Sequence, residues 1–213
     1  MKKITLLFFL FLGINSFGQQ LYIEAGKTLS SFDYKNSNGS RLDNLQATSQ
    51  SFMTMGYRKQ ILTKNLYGSV GTSYAGYGAI GSDDTVGNFF EWNMNYLEFN
   101  VGLDYELLTM NKFKFYVKGT ASAEFLLQGT QTLNSMVIDL KNNDDFDKTL
   151  FDFRGGLGVS HKISDDLSFY VQFMYGKSLK LKDGTANTND QEELRIISKN
   201  VSFGLLINLS NKN

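Results

Sequence analysis

Between about residue 20 and residue 209 the chain alternates apolar and polar side chains with a period of two, in separate blocks. Leu97, Phe99, Val101, Leu103 and Tyr105 alternate with Glu98, Asn100, Gly102, Asp104 and Glu106. Phe113, Phe115, Val117, Gly119, Ala121, Ala123, Phe125 and Leu127 then face away from Lys114, Tyr116, Lys118, Thr120, Ser122 and Glu124. Two further blocks run Phe151 to Val159 and Leu167 to Tyr175, and a last one runs Val201 to Leu209. Successive side chains of a strand point to opposite faces, so each block reads as a strand with one greasy and one polar face. Weaker alternation places three earlier strands near 20–33, 49–62 and 66–80, with Met53, Met55, Tyr57, Val70 and Tyr74 on the apolar side. The pattern predicts an all-β chain of eight strands. After the first twenty residues no window approaches the ~18 consecutive apolar residues of a membrane helix.

The connections alternate in length. Thr63-Lys64-Asn65, Thr109-Met110-Asn111 and Ser164-Asp165-Asp166 are short runs of turn-forming residues. Between them lie longer stretches rich in Asn, Asp, Ser, Gly and Thr, near 35–48, 81–91, 129–148 and 182–194. Short turns at one rim and long polar loops at the other are the plan of a bacterial outer-membrane barrel, with the turns periplasmic and the loops external. The prediction is an eight-stranded antiparallel up-and-down transmembrane β-barrel.

A soluble β-sandwich or lipocalin-like barrel alternates in the same way, so the content of the polar face carries the distinction. That face holds Glu24, Glu98, Asp104, Glu124 and Asp152 together with Arg58, Lys114, Lys118 and Arg154. Eight strands leave an interior only wide enough for side chains, so these charges are expected to fill the lumen as an ion-pair network and close it. In lipid, closure of the sheet is compulsory, because each orphaned backbone group costs several kcal/mol there. Tyr57, Tyr67, Tyr105 and Phe113 near the short turns, and Phe89, Phe90 and Trp92 near an outer loop, are expected to form interfacial girdles.

The N-terminus opens with Lys2 and Lys3, continues apolar from Ile4 to Leu12, and reaches small residues at Ser16 and Gly18. This reads as a signal peptide over 1–18 with cleavage after Gly18, since the apolar run is too short to span ~30 Å of hydrocarbon. The expected domains are thus the signal peptide 1–18 and the barrel 19–213. Removal of Lys2 and Lys3 leaves 19 basic residues against 21 acidic ones, a net charge near −2, and nothing suggests a nucleic-acid partner. Cysteine is absent, which excludes disulfides, thiolate metal sites and a Cys nucleophile. Proline is absent as well, against 18 Phe and 20 Gly, a bias that long unbroken strands produce.

No catalytic residue, metal site or cofactor is assigned. His161, the one histidine, shares parity with Leu157 and Val159 and sits three residues before the Ser164-Asp165-Asp166 turn, which suits an interfacial anchor better than an acid–base catalyst. Asn142-Asn143-Asp144-Asp145-Phe146-Asp147 and Ser82-Asp83-Asp84 gather carboxylates without the fixed glycine of an ordered Ca²⁺ loop, and read as solvated loops. Gly155-Gly156-Leu157-Gly158 lies inside a strand with no helix after it, so it is expected to make room for crowded lumen side chains rather than bind phosphate.

The stretch Tyr96-Leu97-Glu98-Phe99-Asn100-Val101-Gly102-Leu103-Asp104-Tyr105 resembles a strand of the PorT-like outer-membrane β-barrel domain family. Phe151-Asp152-Phe153-Arg154-Gly155-Gly156-Leu157-Gly158-Val159 and the hairpin strand Leu167 to Leu179 are similar to that family as well. The resemblance implies an integral outer-membrane barrel, one branch of which works in protein secretion and gliding. The terminal strand departs from the aromatic ending common in such barrels, so the barrel-assembly machinery is expected to read Phe203 to Leu209. The expected function is non-enzymatic, with a largely closed lumen and a structural, adhesion or envelope-assembly role. A secretion-apparatus subunit and a narrow passive pore are the alternatives. Expected partners are outer-membrane lipids and lipopolysaccharide, the assembly machinery and other envelope proteins.

Overall fold

Alternating side chains with no proline to break a ladder favour long strands, and the computed structural model of the protein contains ten among the residues it describes. Those residues are 18–35, 44–83, 87–143, 147–179, 181–183 and 192–209. The leader expected over 1–18 therefore falls, but for Gly18, outside the described residues, as do Asp84, Asp144, Asp145 and Phe146. The strands are β1 (Gln19–Lys35), β2 (Gln46–Gln60), β3 (Leu66–Asp83), β4 (Asn88–Met110), β5 (Phe113–Leu133), β6 (Met136–Asp139), β7 (Thr149–Lys162), β8 (Leu167–Ser178), β9 (Leu181–Asp183) and β10 (Glu192–Asn208).

Eight of them pair antiparallel in the order β1-β2-β3-β4-β5-β7-β8-β10, and β10 pairs back onto β1. The sheet closes with no free long edge, as lipid requires. β6 and β9 are short outgrowths on β5 and β10. A circuit of paired residues from Leu21 through Tyr57, Val70, Val101, Ala121, Phe153, Lys177 and Ile197 returns to β1 at Ser31, ten residues along the strand. That stagger tilts the strands, which a closed barrel needs. Both ends of the ladder, Gln20 and Asn208, lie at the rim of the short turns.

The turns follow local chemistry. Between β4 and β5 only Asn111 and Lys112 intervene, and Asn111 takes the left-handed conformation (φ 55°) that its short amide side chain tolerates. At the opposite rim Asn134 (φ 47°) and Ser135 (φ 74°) make a second two-residue hairpin, joining β5 to β6.

Two expectations need correction. The regions 81–91 and 129–148 contain strand as well as loop, because β3 runs to Asp83, β4 starts at Asn88, and β5 and β6 continue past Gly129. β4 and β5 are 23 and 21 residues long, about twice the ~9–11 residues that cross a bilayer. Beyond the lipid a strand can be polar on its outer face, and that polarity imitates a loop in the sequence. The girdle also loses members. Tyr105, Phe113 and Phe89 do point outward and are exposed, but Tyr67 and Trp92 turn into the barrel and are buried, and Phe90 packs inward against Trp92.

Candidate functional site

Facing positions on eight strands converge on a narrow interior, so any function carried by side chains inside the barrel depends on what fills it. At the level of the lipid the fill is polar. Arg154 on β7 sits at the centre, with Nη2 2.8 Å from Glu98 Oε1 and 2.7 Å from Glu124 Oε1, and Nε 2.5 Å from Asp152 Oδ2. Its Nη1 donates a further bond to Glu98 Oε2 at 3.1 Å, and the Tyr77 hydroxyl donates to Glu98 Oε1 at 2.6 Å. One planar guanidinium with several fixed donors can bridge carboxylates arriving from three strands, a task a point-charge ammonium does less well. The strand pairing places Glu98 opposite Glu124, so the two acids are held together by Arg154 between them.

A second cluster lies nearer the periplasmic rim. Arg58 Nε donates to Asp104 Oδ2 at 2.7 Å and Nη1 to Gln20 Oε1 at 2.9 Å, while its guanidinium lies 3.9 Å from the centre of the Tyr67 ring. Lys118 Nζ is 3.8 Å from the other oxygen of Asp104. Lys114, the most exposed of the nine charged residues singled out in the sequence, pairs at the rim with Glu106 at 3.0 Å. Glu24 accepts from the Tyr170 hydroxyl at 2.6 Å and from Gln172 Nε2 at 2.8 Å. All nine residues thus face inward, distributed over these three groups. Sequence reasoning did not single out Glu106, Tyr22, Tyr77 or Tyr170. Glu106 and Tyr22 share parity with Asp104 and Glu24 on their own strands, and Tyr77 and Tyr170 are opposite in parity to the outward Tyr74 and Val171, so parity was the available signal.

Lumen tyrosines lie over glycines of neighbouring strands. A Cβ on Gly158 would stand 2.4 Å from the Tyr116 ring, and one on Gly204 2.5 Å from that of Tyr170. Gly155, by contrast, faces outward with nothing within 4 Å. The glycines of β7 therefore serve two faces, and inward Gly158 accepts a flat-lying ring, as Gly204 does on β10.

Above Glu98 the polarity of the barrel inverts. On β4 the inward residues become Tyr96, Met94 and Trp92, all buried, and the outward ones become Asn95, Asn93 and Glu91. Phe32, Tyr77, Leu126, Leu140, Leu150 and Ile196 join them in a single apolar cluster inside the external half. Trp92 packs edge-on to Phe32 at 5.6 Å and stacks on Phe90 at 5.6 Å. The interior thus has a salt-bridged lower half and an oily upper half. An interior space of about 30 Å³ remains beside Tyr22, Glu24, Asn100 and Arg154, and another of about 10 Å³ beside Arg58 and Tyr116. A water needs ~10–15 Å³, so these hold about two waters and one, not a solute.

His161 points outward and packs against Phe113 with ring centroids 4.4 Å apart and the rings tilted by 41°. Among the described residues no group of three His, Asp or Glu side chains is arranged to hold a metal ion, the three carboxylates around Arg154 being occupied by its guanidinium.

Residues 4–205 match the family described as outer membrane protein beta-barrel domain. No curated protein matches the chain. Among solved structures, it is similar to the outer membrane protein OprG from Pseudomonas aeruginosa (12% identity, 89% of this chain and 96% of that one, TM-score 0.50). It is also similar to Neisserial surface protein A (14% identity, 89% and 97%, TM-score 0.47) and to the outer membrane protease OmpT from Escherichia coli (8% identity, 91% and 98%, TM-score 0.44).

Proposed function

Because the chain belongs to the outer membrane protein β-barrel domain family, and so resides in the bacterial outer membrane, we propose that it is a non-enzymatic, non-conducting integral barrel with a structural, adhesion or envelope-assembly role. The observation that carries this reading is the two-level seal, in which the Arg154 cluster fills the barrel at the depth of the lipid and the Trp92 cluster fills it above. A hydrated solute would have to break buried ion pairs and then cross an apolar layer, and both steps are costly.

Planar bilayers containing the refolded chain test this. The expected record shows no steady single-channel conductance, and persistent open channels would return the passive-pore alternative. His161 packs on Phe113 at the rim of the short turns, on the outward face of β7, so lipid-hydrolase assays are expected to show no turnover that His161→Ala removes. On this proposal the leader 1–18 directs export, and the end of β10 with the residue after it offers Phe203 to Leu209 to the assembly machinery. Membership of the PorT-like branch would add envelope-protein partners, which affinity capture from detergent extracts would recover.

A further inference from the structure

The outward face of the barrel is apolar from the short-turn rim upward, until three consecutive strands each carry one lysine. These are Lys177 on β8, Lys199 on β10 and Lys27 on β1, and all three are exposed. Lys177 pairs with Ile197, two residues from Lys199, and Lys199 pairs with Leu29, two residues from Lys27. Each neighbouring pair of lysines is therefore a diagonal pair, with Cα atoms about 7–8 Å apart, and the row is about 15 Å long.

The row is nearly level. A stagger of ten residues over eight strands raises the line of paired residues by about 1.25 residues per strand in the direction β8 to β10 to β1, toward the external rim. Each lysine steps back two residues against that rise, so the net drop is under one residue per strand. Its height follows from β8, where Lys177 lies ten residues beyond Leu167. At about 3.3 Å per residue and a tilt near 40°, that is about 25 Å, the full thickness of an outward apolar band. The lysines stand at its external margin.

At that height the other strands present Ser51, Tyr74, Leu97, Ala123 and Phe151, none of them charged. Lys27 Nζ donates to Ser51 Oγ at 2.9 Å, and among the described residues no carboxylate pairs with any of the three lysines. The outward carboxylate of β1 above them, Asp33, already lies opposite Arg195. Below the row, Phe173, Val201 and Phe203 form an exposed apolar surface. A one-sided row of unneutralised ammonium groups, set where lipid headgroups lie and above a greasy wall, is complementary to an anionic lipid with widely spaced phosphates.

From this juxtaposition we infer that Lys177, Lys199 and Lys27 form a docking row for the bis-phosphorylated disaccharide headgroup of lipopolysaccharide, whose acyl chains lie on Phe173, Val201 and Phe203. The inference rests on the outer-membrane placement but not on the closed lumen, so a conducting barrel would leave it intact.

The test compares the full chain, refolded in detergent, with a variant carrying Lys27→Gln, Lys177→Gln and Lys199→Gln. These exposed positions leave folding unchanged, which heat-modifiable gel mobility checks. Native mass spectrometry then measures retention of bis-phosphoryl lipid A, monophosphoryl lipid A and phosphatidylglycerol. Each lysine at a lipid surface contributes about fivefold, so the triple variant is expected to bind bis-phosphoryl lipid A about a hundredfold more weakly, and a triple arginine variant to bind it as the natural chain does. Monophosphoryl lipid A should lose less, and phosphatidylglycerol should show little difference between variant and natural chain. Equal retention of bis-phosphoryl lipid A by the glutamine variant, or retention of phosphatidylglycerol as strong as that of lipid A, would overturn the assignment.

Discussion

Replacement of Arg154 by Met probes the centre of the lumen. The substitution keeps the side chain's bulk and removes the one cation shared by Glu98, Glu124 and Asp152. Glu98 and Glu124 have no solvent exposure, and Asp152 has 4%. Taking away one partner of a buried ion pair costs about 3–5 kcal/mol, mostly because the remaining charge is left desolvated and unpaired. Here at least two carboxylates are stranded, so Arg154→Met is expected to lose 3–5 kcal/mol or more of unfolding free energy. Arg154→Lys restores the charge but not the bridging geometry, and should recover only part of it. The decisive control is Arg154→Met combined with Glu98→Gln and Glu124→Gln, which removes the stranded charges and should win back at least half of the loss. Urea unfolding in lipid vesicles, followed by Trp92 emission and by gel mobility, measures all of these. A loss below about 1 kcal/mol for Arg154→Met, or a triple variant no more stable than the single one, would refute the claim that this cluster is a buried, mutually dependent network.

Three further outcomes follow from the geometry. Trp92 is the single tryptophan and is 3% exposed inside the barrel, so its emission should be blue-shifted and insensitive to lipids brominated along their acyl chains. Strong quenching by those lipids would place it in a girdle instead. Trp92→Ala removes the centre of the apolar cluster and should cost about 3–5 kcal/mol, read from the urea midpoint followed by gel mobility alone. Gly158→Ala forces the Tyr116 ring aside and should cost about 1–3 kcal/mol, whereas Gly155→Ala, which meets nothing, should change stability by under about 0.5 kcal/mol; equal effects would disprove the ring-over-glycine packing.

Much of this architecture was legible in the sequence wherever a strand is surrounded by lipid. There the two faces meet opposite solvents, so Phe99, Val101 and Leu103 contrast with Glu98, Asn100 and Asp104 at every step, and the inward direction of the nine charged residues could be read from parity alone. Legibility fell where strands leave the membrane. Asn93 and Asn95 face water while Met94 and Tyr96 face each other's neighbours inside, so the contrast reverses sign and the segment looks like a loop. Trp92 reads as a girdle residue from its closeness to a loop, whereas its parity with Met94 and Tyr96 turns it inward. The Asn134–Ser135 hairpin was hidden by the polar residues around it, although Asn at a two-residue turn is a recognisable signal. The partners within the lumen could not be read from spacing. Which acids meet Arg154 depends on the ten-residue stagger of the closed sheet, a property of the whole ring and not of any one strand.

The most direct test of an oily outside and a salt-bridged inside is a spin-label scan, for which a chain without cysteine is well suited. Single cysteines at Phe99, Val101 and Leu103, and at Asn100, Thr120 and Asn200, would be labelled and the protein folded into bilayers. The account predicts high collision with oxygen and low collision with a water-soluble nickel chelate at the first three sites, and low collision with both at the second three. Nickel access at Phe99, Val101 and Leu103, or the loss of alternation between the two sets, would contradict it.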